Sequence, residues 1–126
     1  MKRDMDFTRH ILREIEAYPR YDESFKNISL DVHTQDELAY HVMLLHEAHL
    51  LRAIDLSTHE GPRDWRPLEL TNEGHEFLEA ARNETLWTKA KEAVRVGTGT
   101  LSLEALKLAL KMLMEHGVKA ALSKAV

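Results

Sequence analysis

Residues 40–51 read YHVMLLHEAHLL. His41, His46, Glu47 and His49 are the side-chain types that bind zinc or move protons in many proteins. A zinc pair on a helix needs its histidines at i and i+4, so that both rings converge, with a glutamate between them as base. Here the histidine spacings are five and three. At about 100° per residue, His46 and His49 point about 140° and 80° away from His41. HEAHL has two residues between its histidines where the zinc-protease motif HExxH has three. No metal or other cofactor is therefore expected on this stretch. His75 with Glu76 or Glu79 offers no better ligand set. There is also no convergent nucleophile, base and oxyanion set and no Gly-rich phosphate loop, so no catalytic residue is assigned and the chain reads as a non-enzyme.

The histidines must then be explained by the element that carries them. Thr34-Gln35-Asp36-Glu37 is a capping box, a Thr with a Glu three residues later, and it opens a helix running to about Ala48. Leu38, Val42 and Leu45 share one face of that helix. Upstream, Phe7, Ile11, Ile15 and Tyr18 form one apolar stripe. They predict a helix from Asp4 or Asp6 to Tyr18, stopped by Pro19. Residues 20–27 are polar and read as a loop, and Ile28-Ser29-Leu30 alternates like a short strand. Downstream, LLRAIDLS (50–57) and WRPLELT (65–71) read as two strands around a Gly-Pro turn, with Pro67 marking an edge or a bulge. Thr71 caps the next segment, which reads as one helix ended by Gly97 and Gly99. Leu103, Leu106, Leu110 and Leu113 then recur at three-four-three spacing, a seam that could pair two chains or pack within one. Leu101, Ala105, Leu108 and Met112 form a second stripe, so this helix needs two neighbours or a second subunit.

Composition bounds what these elements build. The chain has 126 residues, 44% of them hydrophobic and 30% charged, which suits one soluble domain. It has no Cys, which excludes disulfides, thiolate metal sites and cysteine nucleophiles, and fits the cytoplasm. No apolar run is long enough to span a membrane, and MKRDMDF is not a secretory signal. The net charge of −4 is unevenly spread. Residues 21–81 hold four Lys/Arg against thirteen Asp/Glu, whereas residues 82–126 hold eight against four.

Two resemblances follow from these blocks. LAYHVMLLHEAHLL resembles the recognition helix of metal-sensing repressors of the winged-helix superfamily, in which a Gly stands where this chain has His49. LELTNEGHEFLEAAR resembles their second wing strand and following helix. More closely, MKRDMDFTRHILREIE, ELAYHVMLLHEAHLL and LTNEGHEFLEAARNETLWTKAKE, in that order, resemble the domain-of-unknown-function 2513 family of small bacterial and phage-associated proteins. That resemblance implies a winged-helix type of fold and no particular activity. The expected architecture is mainly α with a small β-hairpin. Residues 1–96 would form a winged-helix-like core with its following helix, and residues 97–126 a C-terminal helical extension able to dimerise, within a single domain. A full winged helix has another helix before the recognition helix; residues 18–33 leave room for at most a vestige of it.

A winged helix commonly reads DNA, but the residues argue for a different target. The outward face of the 34–49 helix carries Asp36, Tyr40, Met43 and Glu47 and no Lys or Arg. Duplex affinity comes mostly from cations on phosphates, and an acidic helix would be repelled in the groove. Tyr and Met on an exposed face suit a protein partner. The expectation is thus a protein-binding or self-associating module using Asp36, Tyr40, Met43 and Glu47, with Leu103, Leu106, Leu110 and Leu113 as a possible dimer seam. The alternative is a DNA-binding regulator-like protein that touches phosphates through Arg52, Arg63 and Arg66 and the terminal Lys/Arg.

Overall fold

The computed structural model describes residues 1–125. Its elements are α1 (Met5–Glu16), α2 (Gln35–Glu47), β1 (Leu51–Asp55), β2 (Trp65–Leu70), α3 (Asn72–Ala81), α4 (Glu84–Thr98) and α5 (Leu103–Ala125). The fold is mainly helical with one two-stranded antiparallel hairpin. The chain divides into two compact units, Met1–Glu76 and Phe77–Val126, and the division falls within α3.

In the first unit, α1 buries Phe7, Ile11, Leu12 and Ile15. Its N-cap is Asp4, whose side chain accepts the Phe7 N–H at 3.1 Å. α2 starts on the capping box: the Glu37 N–H donates to Thr34 Oγ1, and the Thr34 N–H donates back to Glu37 Oε1. α2 buries Ala39, His41, Val42 and Leu45, and it ends in the left-handed turn that the missing Gly would have made. His49 takes φ +62°. The Leu50 N–H reaches back to Leu45 O and the His49 N–H to His46 O, both at 3.0 Å, which satisfies two helix-end carbonyls. Leu45 and Leu50, at either end of that turn, are fully buried. The left-handed strain at His49, on the order of 1 kcal/mol, is held by this contact and by the Thr71 hydroxyl, which donates to His49 O.

β1 and β2 pair from Leu51↔Leu70 to Asp55↔Trp65, with a register shift between Arg52 and Ala53. Ala53 pairs with Pro67 while Arg52 pairs with Glu69, so Leu68 is the extra residue of a bulge beside Pro67. Gly74 in α3 packs its backbone on the carbonyl of Leu50, a place where a Cβ would collide with main chain.

Two expectations are corrected here. Residues 28–30 form no strand: side chains take their backbone groups, where a strand needs a neighbouring ladder. The Ser29 N–H donates to Glu14, Ser29 O accepts from His10 Nε2, and the Tyr18 hydroxyl holds both the N–H and the carbonyl of Asn27. No helix stands between α1 and α2. Residues 72–96 are also two helices, not one. Asn83 caps α4 by accepting the Leu86 N–H at 3.1 Å, because a short polar side chain competes with the helical backbone for that donor. α4 runs through Gly97 and ends on Gly99 at φ +79°.

In the second unit, α5 packs on α4. Phe77 meets Trp87 edge to face at 6.2 Å, and Leu78, Trp87, Ala90, Leu106 and Leu110 are buried.

Candidate functional site

The three histidines of the opening stretch go to three different places. His41 is fully buried. Its Nε2 accepts the Asp4 N–H at 2.8 Å while its Nδ1 lies 2.6 Å from the Glu37 carbonyl. Since Nε2 accepts, Nδ1 carries the proton and donates to that carbonyl. His46 lies against Trp65, ring centroids 5.3 Å apart, and His49 is the exposed helix-end residue. Among the described residues no group of three or more His, Asp or Glu comes together that could hold a metal.

His41 belongs to a junction that joins α1, α2 and the loop before α2. Asp4 caps α1 with one carboxylate oxygen, and its other oxygen lies 3.0 Å from His33 Nε2. The His33 ring stacks flat on Phe7 at 3.7 Å, and His41 meets Phe7 edge-on at 5.2 Å. The Asp4 carboxylate raises the His33 pKa above its ordinary value, chiefly through their hydrogen bond. Burial pushes the Asp4 carboxyl up, but the hydrogen bonds from His33 and the Phe7 N–H outweigh it and leave it lowered. The sequence offered no signal for His33, because its partner is 29 residues away.

The surface of α2 adjoins a cleft of about 630 Å³, all of it within the first unit. Gln35 and Asp36 from the first turn of α2, Phe25 to Ile28, and residues of the hairpin and its turn line it. The Lys26 N–H donates to Pro67 O and fastens one wall to the other. Phe25 and Trp65 make that lining aromatic, and the Arg66 guanidinium stacks over Phe25 at 5.3 Å. Of the four Lys/Arg in residues 21–81, three (Lys26, Arg63, Arg66) line the cleft, against two of the thirteen acids (Asp36, Asp64). The cleft thus gathers more cations than acids from an acidic segment.

The cations differ in what they have left to offer. Lys26 is buried and its ammonium is spent on Asp22 and Ser24. Arg66 holds Asp64 through two hydrogen bonds of 3.2 and 3.1 Å. Arg52 lies apart from the cleft lining and pairs across the hairpin with Glu69 at 2.5 Å. Arg63 is exposed and forms no direct ion pair among the described residues; its charge still acts on Asp55, whose carboxyl is lowered chiefly by its hydrogen bonds with Ser57 and in smaller part by Arg63.

The structure therefore brings Asp36, Arg63 and Arg66 together on one cleft. It leaves Tyr40 and Met43 half-buried and Glu47 exposed further along α2. Ala39, next to Tyr40 in the chain, is buried. Leu103, Leu106 and Leu110 are buried in the chain itself, and Leu113 is half-buried. Phe25 lies in a stretch, residues 20–27, that reads as a polar loop, and Trp65 reads as the first residue of a strand; only tertiary contact makes the two one wall.

Residues 2–100 match the family described as Hypothetical protein (DUF2513). The chain is 34% identical over 107 residues to an uncharacterized protein of Haemophilus influenzae, a match covering 85% of this chain and 90% of the relative. No solved structure matches. With the family's span running from the first residues of α1's cap to the end of α4, this chain belongs to the DUF2513 family.

Proposed function

We propose that this chain is a cytoplasmic, non-enzymatic binding module of winged-helix type whose target is a protein. The order α1, α2, hairpin, α3 supports the winged-helix reading, with α2 in the place of the recognition helix and the hairpin as the wing. The observation that carries the choice of target is electrostatic. α2 exposes Asp36 and Glu47 and carries no Lys or Arg, while two of the three hairpin arginines are already committed to carboxylates of the same hairpin. A duplex would have to compete with Asp64 and Glu69 for them, at the modest cost of breaking an exposed ion pair each time. A protein segment with an apolar side chain for the Phe25–Trp65 wall and a carboxylate for Arg63 fits the same cleft without that cost. The DNA reading keeps one observation in its favour, which is the exposed Arg63, held by no direct ion pair among the described residues.

A gel-shift titration with mixed-sequence duplex at low salt tests the choice. The expected result is weak retention that disappears by about 200 mM salt, because few phosphates can be neutralised. Tight, sequence-selective binding that survives moderate salt overturns the reading. The double reversal Asp36→Arg with Glu47→Arg is expected to gain duplex affinity, since it removes the repulsion from the face that would enter the groove.

A further inference from the structure

The buried leucines of α5 account for one side of that helix. On the other side Leu108, Met112, Val118 and Leu122 are 60%, 60%, 55% and 63% exposed. From Lys111 to Lys124 every residue is exposed except the half-buried Leu113. At about 100° per residue, these four exposed residues form a stripe centred on Glu115, roughly 200° around the helix from the buried seam. Their spacing about Glu115 is palindromic: Met112 and Val118 lie three residues to either side, Leu108 and Leu122 seven. Lys111 and Lys119 lie four residues to either side.

A two-fold interface requires a surface that complements itself when reversed. A stripe that reads the same in both directions meets that condition for antiparallel helices. We infer that the exposed face of α5 is the self-association surface, pairing antiparallel with α5 of a second copy about a two-fold at Glu115. In this register Leu108 lies level with Leu122 of the second copy, and Met112 with Val118. The two Glu115 carboxylates at the centre lie among four ammonium groups, Lys111 and Lys119 of both copies. The lysine stems extend the apolar cover while their charges stay in water. This pairing is independent of what α2 and the cleft bind, because none of its residues belongs to that site.

The chain has no cysteine, so single introduced cysteines report the register cleanly. In the whole 126-residue chain, Glu115→Cys is expected to form a disulfide-linked dimer on mild oxidation. Leu108→Cys alone is not, because its two copies lie about 21 Å apart along the helix pair, well beyond disulfide reach. A mixture of the Leu108→Cys and Leu122→Cys proteins is expected to cross-link to each other. Sedimentation equilibrium should give twice the 14.5 kDa chain mass for the natural sequence, and the monomer mass for Leu108→Asp with Leu122→Asp. A natural chain that stays monomeric overturns the inference, as does a dimer that survives the double substitution. Cross-linking of Leu108→Cys by itself overturns the antiparallel register.

Discussion

The two units are held together in different ways. The first adds to its apolar core polar groups with fixed partners, the Asp4–His33–His41 junction and the Thr34–Glu37 capping box, and a close approach of the Gly74 backbone to Leu50. The second is organised by apolar volume, with Trp87, Ala90, Leu106 and Leu110 closing α4 onto α5. Polar junctions specify one geometry because a misplaced donor or acceptor is left unsatisfied. Apolar packing tolerates exchange so long as volume is kept. The first unit should therefore depend on residue identity and the second on residue size.

The largest expected effect falls in the second unit. Leu106→Ala should lower stability by about 3–4 kcal/mol, the usual cost of removing a fully buried leucine, whereas Leu106→Met should cost under about 1.5 kcal/mol. Urea denaturation followed by Trp87 fluorescence in a Trp65→Phe background measures both; an equal loss in the two variants would break the comparison. Gly74→Ala should cost the first unit about 3 kcal/mol, although it adds only one methyl group, because the new Cβ meets the Leu50 carbonyl and backbone cannot step aside. Hydrogen exchange of residues 50–54 should report the damage locally. The same change in α5, Gly117→Ala, should stabilise by about 0.5–1 kcal/mol, since nothing lies within 4 Å of that position and Ala is the better helix former. Opposite signs for these two glycines sharpen the contrast; matching signs would dissolve it.

The smallest effect is a pH dependence confined to the first unit. His33 binds its proton more tightly folded than unfolded, so its contribution is complete below the ordinary imidazole value of 6.5 and is lost as pH rises through the raised folded value. Asp4 works in the other direction: its contribution is complete above 3.8 and is lost as pH falls through its lowered folded value. Between those limits both groups contribute. The urea midpoint should decline on going from about pH 6 to about pH 8, and His33→Gln should flatten that decline. An unchanged slope in the variant would remove the junction from the account.

Much of the fold was legible because it rests on short-range rules. The Thr34–Glu37 box lies within one turn, the Phe7–Ile11–Ile15 stripe within one helix, and the Gly-Pro turn between two alternating runs. The misses differ in kind: one is a longer-range contact, the other a local cap hidden inside a helical pattern. Ile28–Leu30 alternates like a strand, but its backbone is bound by Glu14, His10 and Tyr18 from elsewhere in the chain. Asn83 is an ordinary polar residue in a helical pattern until its side chain takes the Leu86 N–H. The candidate cleft was less legible still. Arg63 and Arg66 were visible as cations near a turn, but Phe25 and Asp36 join them only through folding.

By itself the sequence determined most of the elements and their order, the uneven charge and the absence of a zinc-type histidine pair, because each is largely a matter of neighbours within a few residues. Tertiary structure alone decided where the histidines go, which stripe of α5 is buried and which is left outside, and which charges share a surface. Those outcomes depend on contacts between residues far apart in the chain, and spacing along one element carries no information about what will be packed against it.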